Sequence, residues 1–272
     1  MITIGIDPVL ISIGHYSLRW YSVMIALAIV VGTFVGLREA RRRGIAEDDV
    51  YSFLTWAIIA GIVGARLFHV VDKLDYYLSN PMAILAFQEG GLAIYGAVAG
   101  GLLAGAIFCR YRGISIGKLA DVAAPALILG QAIGRIGCTI NGDVWGTPSN
   151  LPWAVVYTHP NSLAQELGVP IHPAADYELL WDLLVFGILW KLRTRNLASG
   201  TLMLLYFALY SIGRFWITFF RVDTEVAFGL SQAQVIALIV VLVTAPLAVL
   251  INRIPRLNGQ DQKGYEQTIV RG

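Results

Sequence analysis

The residues best suited to chemistry in this sequence are arginines that stand beside glycines at the end of an apolar stretch. The run Gly134–Gly146 reads GRIGCTINGDVWG and directly follows the apolar residues Leu119–Ile133. An arginine at the centre of a hydrocarbon layer costs roughly 2.5 to 3.5 kcal/mol on insertion scales, so Arg135 requires a compensating partner. A planar guanidinium binds phosphate oxygens in pairs, and glycines let a backbone or a ligand approach closely. The run therefore suits the recognition of a lipid phosphate at a membrane boundary.

Carboxylates accompany these arginines. Asp143 lies within the same run, and Glu178 and Asp182 stand one helical turn apart further along the chain. An acidic residue inside a membrane is a functional hypothesis by default. A fixed salt bridge from this later pair to Arg214 or Arg221 explains the same spacing, and the sequence leaves both interpretations open.

Composition indicates whether these groups lie in water or in a membrane. Hydrophobic residues make up 57% of the chain and charged residues only 14%. A helix needs about 20 apolar residues to cross ~30 Å of hydrocarbon. Apolar segments of about this length, the fifth being the shortest, are Ser17–Gly36, Val50–Val71, Leu92–Phe108, Leu119–Cys138, Tyr177–Trp190, Thr201–Phe220 and Ala233–Ile251. The sequence predicts an all-α integral membrane protein with about seven transmembrane helices.

The basic residues predict the orientation of these helices. Fourteen of the 20 basic residues follow the first, third, fifth and seventh spans, and these connections alternate along the chain. The positive-inside rule makes their side of the membrane cytoplasmic. No basic start or small-residue cleavage site marks the first 16 residues, so no removable signal peptide is expected. We therefore expect an external N-terminus, a polytopic membrane domain over residues 1–252 and a polar cytoplasmic tail over residues 253–272.

Six basic residues remain, all at or near the predicted outer ends of spans. They are Arg19, Arg66, Lys73, Arg135, Arg214 and Arg221. Snorkelling, in which the stem lies along the helix and the charged head reaches the interface, explains Arg66 and Arg221 taken singly. Arg135 and Arg214 lie deeper or beside glycine. Their clustering on the side that the positive-inside rule disfavours indicates an anionic partner, most simply an acidic phospholipid headgroup.

The connections and the small residues add detail to this frame. Residues 139–175 are rich in proline and glycine, which predicts a small extracytoplasmic head region rather than another span. Residues 72–91 predict a short interfacial helix. The glycines of Gly96–Gly105 and Gly130–Gly134 permit close helix contact, which suggests that the third and fourth spans pack together near Arg135.

Other kinds of site have no support in the sequence. Cys109 and Cys138 are predicted to lie a membrane thickness apart, so they should not form a disulfide, and Cys138 is expected to be a small buried residue. The histidines lack metal-ligand spacing. Dinucleotide-binding, phosphate-loop and serine-elbow motifs are not found. We expect no metal, no cofactor and no nucleic-acid partner.

With these motifs assembled, the sequence resembles the prolipoprotein diacylglyceryl transferase family. The run Gly134–Gly146 is similar to the family's signature, and the resemblance extends from about Ile13 to Ile251. Other stretches that match in order are Leu18–Met24, Gly64–Leu67, His172–Pro173 with Tyr177–Leu180, Gly213–Phe215 and Phe219–Arg221.

The resemblance implies a reaction and its partners. The family transfers the diacylglyceryl group of phosphatidylglycerol to the thiol of the lipobox cysteine in a prolipoprotein signal peptide, forms a thioether and releases glycerol phosphate. This is the first step of lipoprotein modification. It takes place in the bacterial plasma (inner) membrane, and the active site faces the extracytoplasmic side. The nucleophile is the substrate's cysteine, so no cysteine of this chain is required.

The resemblance also implies site residues. Arg135 and Arg214 are expected to hold the lipid and to stabilise the phosphate charge that develops in the transition state. Tyr95 is the third catalytic candidate. Substrate-binding roles are expected for Arg135 itself and for Tyr21, Arg66, Asn141, Asp143, Gly146, Glu178 and Arg221.

Two positions depart from the family pattern. Many members have a His-Gly-Gly step where this chain has Tyr95, Gly96 and Ala97. Tyrosine is a poor base at neutral pH, so we expect Tyr95 to orient a headgroup or the thiol, and the thiol base stays unassigned. A purely structural interfacial tyrosine is the alternative. Cys138 replaces a common asparagine, which leaves Asn141 to supply a hydrogen bond near Arg135.

Two other function classes fit clustered arginines in a membrane. An anion or lipid transporter would use them to bind its cargo, although an odd number of spans without a visible inverted repeat fits poorly with repeat-built transporters. A non-catalytic protein that binds anionic phospholipids would use the same residues without reaction. Formation of a diacylglyceryl thioether on a lipobox peptide separates the transferase from both.

Overall fold

The computed structural model describes residues 1–14, 16–86, 91 and 93–269. The chain forms two compact units, of which the first contains Met1–Val35 and the chain from Ala123 onward, and the second contains Gly36–Val122. Leu92, the predicted start of the third span, lies outside the described residues.

Helices dominate the structure, which confirms the predicted all-α class. Their bounds are α1 Trp20–Arg43, α2 Glu47–Asp72, α3 Leu74–Ser79, α4 Ile94–Arg112, α5 Ile116–Asn141, α6 Ala174–Leu192, α7 Thr201–Ile217 and α8 Gln232–Ile269. Short 3₁₀ helices cover Pro81–Leu85 and Thr218–Phe220. The short helix predicted between residues 72 and 91 is therefore present, as α3 and the 3₁₀ turn after it.

Six of the helical segments in the described part of the chain are long and apolar enough to cross a membrane, and they coincide with six of the seven predicted spans. The fifth predicted span is helix α6, which has 19 residues. Its sequence includes Asp176, Glu178, Asp182 and Lys191. Because of these charges its hydropathy does not identify it as a span. The structure thus confirms α6 as a helix, and its crossing of the membrane stays a prediction.

In the second unit, glycines bring α2 and α4 into close contact. A Cβ atom on Gly96 would overlap the carbonyl oxygen of Gly64, and one on Gly100 would overlap the carbonyl oxygen of Ala60. The suggestion that the glycines of α4 pack against those of α5 is therefore wrong for Gly96 and Gly100, because α2 occupies this side of α4. In the first unit, the corresponding face of α5 packs on α1, where Gly130 lies against Ala28.

The core of the first unit lies among α5, α6 and α7. Its buried residues are Ala124, Ile128, Val185, Leu189, Leu202 and Tyr206. Closer to Arg214, the Trp181 indole lies directly against Gly213, where a Cβ would overlap the ring. The Trp181 indole N–H also donates to the Leu209 carbonyl oxygen at 2.9 Å. This contact fixes α6 against α7 one residue before Arg214.

Short strands complete the first unit, and they were not predicted. Strand β1 (Ile2–Ile4) pairs in parallel with β4 (Val155–Tyr157), which pairs antiparallel with β5 (Pro170–Ile171). Two hairpins are separate from this sheet, β2 (Val9–Ile13) with β3 (Tyr16–Arg19) and β6 (Glu225–Ala227) with β7 (Leu230–Ser231). The first span therefore begins as helix at Trp20, not at Ser17. The predicted head region of residues 139–175 contains β4 and β5, and β1 joins it.

Candidate active site

Glu178 is the point on which three arginines converge. Arg135 from α5, Arg214 from α7 and Arg221 just after α7 all form ion pairs with its carboxylate. The Arg221 Nη1 atom lies 3.0 Å from Glu178 Oε1. Glu178 is 3% exposed, so these pairs form away from water. The fixed salt bridge that the sequence left open is therefore present, and it includes Arg135 as well as both arginines of the α7 end.

The cluster carries more positive than negative charge. Three guanidinium groups face one buried carboxylate, and Arg221 Nε has a second, partly exposed partner in Asp223 at 3.4 Å. The three arginine side chains keep 15 to 20% of their surface exposed. Guanidinium groups that are partly accessible and incompletely neutralised suit binding of an additional anion.

Glycine and tyrosine position the α5 end that holds Arg135. A Cβ on Gly137 would lie 3.0 Å from the Tyr21 Cα atom, so this glycine lets α1 approach α5. Tyr21 packs on a small buried cluster that includes Cys138 and Val144. The Arg135 Nη1 group lies 3.9 Å from Cys138 Sγ. Tyr21, predicted to bind substrate, is thus part of the wall beside Arg135, and Cys138 is a buried free thiol as expected.

Backbone pairing places Arg221. Gly146 forms an antiparallel bridge with Arg221, and the Val222 N–H donates to the Trp145 carbonyl oxygen at 3.1 Å. On its other side, Gly146 lies so close to His172 that a Cβ would overlap the His172 carbonyl oxygen. Only glycine fits between these two chain segments. The last glycine of the signature therefore holds the arginine segment in place through its backbone.

Asn141 is the last residue of α5, and Asp143 follows it, both after the turn that holds Arg135. The Asn141 Oδ1 atom accepts a hydrogen bond from Arg19 Nη1 at 2.9 Å, and the side chain is buried. Desolvation raises the pKa of the Asp143 carboxyl above its usual range. Hydrogen bonds and the nearby charge of Arg135 act in the opposite direction and lower this pKa. A lipid contact from either residue stays a prediction.

Arg66 and Tyr95 belong to the second unit. The Arg66 side chain is 4% exposed and donates hydrogen bonds to the carbonyl oxygens of Ile84 at 2.9 Å and Gly91 at 3.1 Å, and also to those of Ala83 and Ala86. Its guanidinium is thus bound by backbone oxygens instead of extending outward as snorkelling requires. Tyr95 is 49% exposed, and its ring centre lies 6.1 Å from that of Phe68. Substrate roles for both residues stay predictions.

Three aromatic side chains and one imidazole form a group close to Arg221, and the sequence did not predict that they contact one another. Trp153 Nε1 donates to Tyr177 Oη at 2.9 Å, and Tyr177 Oη lies 3.2 Å from His172 Nδ1. The His172 ring packs on Phe220 with centroids 5.0 Å apart. The five-residue spacing of His172 and Tyr177 across a helix start was an available signal. Trp153 offered only the pattern of an interfacial aromatic.

The sequence predictions therefore divide into groups. In the first unit the structure gathers Arg135, Arg214, Arg221 and Glu178 into one charged cluster, with Tyr21, Gly146 and Asp143 on the segments that support it. Asn141 is bound by Arg19, and Arg66 and Tyr95 lie in the second unit. The cluster can bind a phosphate and stabilise charge that grows on it.

A sequence model of prolipoprotein diacylglyceryl transferase matches residues 8–250, which include every helix and residue of this cluster. The chain belongs to the prolipoprotein diacylglyceryl transferase family. Membership places the glycine-arginine run and the arginine of α7 within one known enzyme family, as the resemblance implied.

Curated relatives agree over most of the chain. A phosphatidylglycerol–prolipoprotein diacylglyceryl transferase of Trichormus variabilis is 40% identical over 240 residues, covering 85% of this chain and 84% of the relative. Relatives with the same name come from Dehalococcoides mccartyi, 40% identical over 91% of this chain and 94% of the relative, and from Clostridioides difficile, 38% identical over 86% and 90%. The family's enzymes thus share both the length and the pattern of this chain.

Proposed function

We propose that this chain transfers the diacylglyceryl group of phosphatidylglycerol to the thiol of the lipobox cysteine of prolipoproteins and releases glycerol phosphate. Family membership and the names of its relatives support the reaction. The observation that carries the assignment of the site is the convergence of three arginines on Glu178.

The first step is binding of the lipid phosphate at the partly exposed faces of Arg135 and Arg214. Each guanidinium can offer two parallel N–H groups to the phosphate oxygens. Glu178 holds the arginines together before the lipid arrives, so their donors are already grouped when the phosphate enters. Arg221 adds a third positive charge from a segment held by Gly146.

In the transfer step, the substrate thiolate attacks the glyceryl carbon that is bonded to the phosphate oxygen. The sulfur–carbon bond forms, the carbon–oxygen bond breaks, and its electron pair stays on the leaving phosphate. Negative charge therefore grows next to the arginines, where preorganised donors in a water-poor site act most strongly. The same positive field favours the thiolate over the thiol.

The remaining predicted residues act around this centre. Tyr95 is expected to orient the headgroup or the thiol by hydrogen bonding, as the family resemblance implies. Tyr21 and Asp143 border the arginine turn, and Asn141 fixes Arg19 near the end of α5. These roles rest on position and resemblance together.

We further propose that the site faces the extracytoplasmic side of the bacterial plasma membrane. Six apolar helices identify a multi-pass membrane protein, and the distribution of basic residues supplies the orientation. On intact spheroplasts, a cysteine introduced at Ser149 should react with a membrane-impermeant thiol reagent, and one at Asn258 should be protected. Labelling at Asn258 alone reverses the orientation.

The experiment for the function itself uses the purified chain in bilayers that contain phosphatidylglycerol, together with a lipobox peptide. The expected products are a diacylglyceryl thioether on the peptide cysteine and one glycerol phosphate per thioether, both detected by mass spectrometry. A peptide with serine in place of the cysteine is the control. Lipid binding without thioether formation means a non-catalytic lipid-binding protein, and movement of lipid without product means a transporter. The comparisons support neither alternative.

A further inference from the structure

Asp182 is a buried acid that the proposed reaction does not yet use. It lies on α6 one turn after Glu178, on the same face of the helix, and is 1% exposed. Its Oδ2 atom has no hydrogen-bond partner in the described part of the chain. An unsatisfied buried carboxylate oxygen is costly and requires an explanation.

The charged and titratable groups that act electrostatically on Asp182 come from three helices. They are Arg135 on α5, Glu178 on α6, and Tyr206, Tyr210 and Arg214 on α7. The two arginines are the same ones that are proposed to hold the lipid phosphate. Tyr206 in addition donates to Gln131 Oε1 at 3.0 Å. Asp182 is thus buried beside Glu178, the residue on which the arginine cluster converges.

A count of formal charges shows what this carboxylate can do. Apart from Asp223, which is partly exposed, three arginines with Glu178 and an ionised Asp182 carry one net positive charge, and a bound phosphodiester anion neutralises it. When the carbon–oxygen bond breaks, the phosphate becomes a monoester with a second negative charge. The enclosed site would then hold a net negative charge, which a low-dielectric environment disfavours strongly. One proton taken up within the site restores neutrality.

Building on the proposed function, we propose that Asp182 takes up the proton lost by the substrate thiol as charge develops on the leaving phosphate. In the balanced step the S–H bond breaks, the S–C bond forms, and the C–O electron pair leaves with the phosphate. The proton resides on the Asp182 carboxyl and returns to water when glycerol phosphate departs.

The unpartnered Oδ2 atom fits this role. Asp176, by contrast, accepts a hydrogen bond from the Thr139 hydroxyl at 2.9 Å, and such a bond favours the ionised form of a carboxylate. Asp182 instead keeps one buried oxygen without a hydrogen-bond partner in the described structure. That oxygen is available to accept a proton when negative charge grows on the phosphate.

The test compares Asp182→Asn with the matched variant Asp176→Asn, an acid on the same helix that is bonded away from the arginines. Both are assayed as full-length protein in phosphatidylglycerol bilayers with a saturating lipobox peptide, over a range of pH. We expect Asp182→Asn to lower kcat at least roughly tenfold, the lower end of what proton transfer contributes, with KM for the lipid unchanged. It should also remove a limb of the kcat pH profile that Asp176→Asn and Asp182→Glu retain. An Asp182→Asn variant with the kcat and pH profile of the original chain overturns the proposal.

A second measurement covers the case in which Asp182→Asn does not fold. Infrared difference spectra of the original chain, with and without glycerol phosphate, should show a protonated-carboxyl C=O stretch that shifts on ¹³C labelling of aspartate. The band should persist in Asp176→Asn, which removes another acid of α6. Absence of the band, or its loss in Asp176→Asn, contradicts the assignment to Asp182. Failure of the original chain to form any thioether instead contradicts the proposed function, so the two failures are distinguishable.

Discussion

Two buried arginine environments in this protein use the same side chain in opposite ways. Arg66 in the second unit donates to backbone carbonyl oxygens of residues 83 to 91. Arg135, Arg214 and Arg221 in the first unit share one carboxylate. The guanidinium of Arg66 serves to hold a connection of the chain, whereas the cluster keeps excess positive charge and accessible donors. An arginine in an apolar helix therefore indicates a ligand only when its donors are not used on the protein's own backbone.

The largest expected effect comes from the cluster. Arg135→Gln or Arg214→Gln should lower turnover by roughly a hundredfold or more, because each contact to the growing phosphate charge is worth ~2 to 4 kcal/mol by analogy with oxyanion donors. Arg135→Lys should already be impaired, since lysine keeps the charge but loses the planar fork. The measurement is kcat at saturating lipid alongside direct phosphatidylglycerol binding. Arg110→Gln, an exposed arginine elsewhere, is the control. Loss of affinity with unchanged kcat would make both arginines ground-state anchors.

Glu178→Gln should produce the next largest effect, on stability. Removing one partner of a buried ion pair costs ~3 to 5 kcal/mol, and here three guanidinium groups lose their shared carboxylate. The thermal unfolding temperature should fall, and phosphatidylglycerol should restore more of it than phosphatidylcholine does, because a phosphate can replace the missing charge. Glu166→Gln, an exposed acid, should unfold like the original chain. Equal stabilisation by both lipids would show that the arginines do not select an anion.

Arg66→Gln tests the other member of the comparison, the arginine whose donors are bound by backbone carbonyl oxygens. Its charged hydrogen bonds to carbonyl oxygens are worth roughly 1.5 to 3 kcal/mol each, with incomplete additivity, so the variant should lose thermal stability. Turnover per folded molecule should fall much less than in Arg135→Gln. Thermal unfolding and active-fraction kinetics on the same preparation separate the two effects. A raised KM for phosphatidylglycerol with normal stability would instead assign Arg66 to the lipid site.

Tyr95 should give the smallest effect. If it orients a group by hydrogen bonding, Tyr95→Phe should lower kcat only several-fold, the size expected for loss of one neutral hydrogen bond. The pH profile should stay in place, and Tyr95→His should be active because the family often has histidine there. The readout is kcat against pH for both variants. Abolished turnover in Tyr95→Phe with lipid binding intact would mean that the phenol takes part in proton transfer.

The sequence predicted the elements of this fold more completely than their contacts. Apolar segments in the sequence predicted the long helices of the described chain, although the charges of α6 lower its hydropathy, and the arginines stood out because charge is rare in a membrane. The partners were harder to predict. Glycine spacing predicted close packing for α4, yet α2 occupies that contact, since spacing specifies a surface and not its neighbour. Similarly, the pairing of Asn141 with Arg19 spans 122 residues and left no local pattern.

For the candidate active site, too, the sequence predicted the residues better than their contacts. Spacing limited the partners of Glu178 to Arg214 or Arg221, both near in sequence to the end of α7, and it gave no reason to include Arg135. The structure brings all three together because α5, α6 and α7 share one core, where Ile128 and Val185 are fully buried. Short strands such as β1 and β4 were missed because each has three residues and pairs across the chain, which leaves no periodic signal.

The most direct test of the central claim is an experimental structure of the chain with bound phosphatidylglycerol. The account predicts a headgroup phosphate within hydrogen-bond distance of both Arg135 and Arg214, with at least one of these arginines shifted from Glu178 to the phosphate. A phosphate bound elsewhere, with all three arginines still paired to Glu178, would contradict the account.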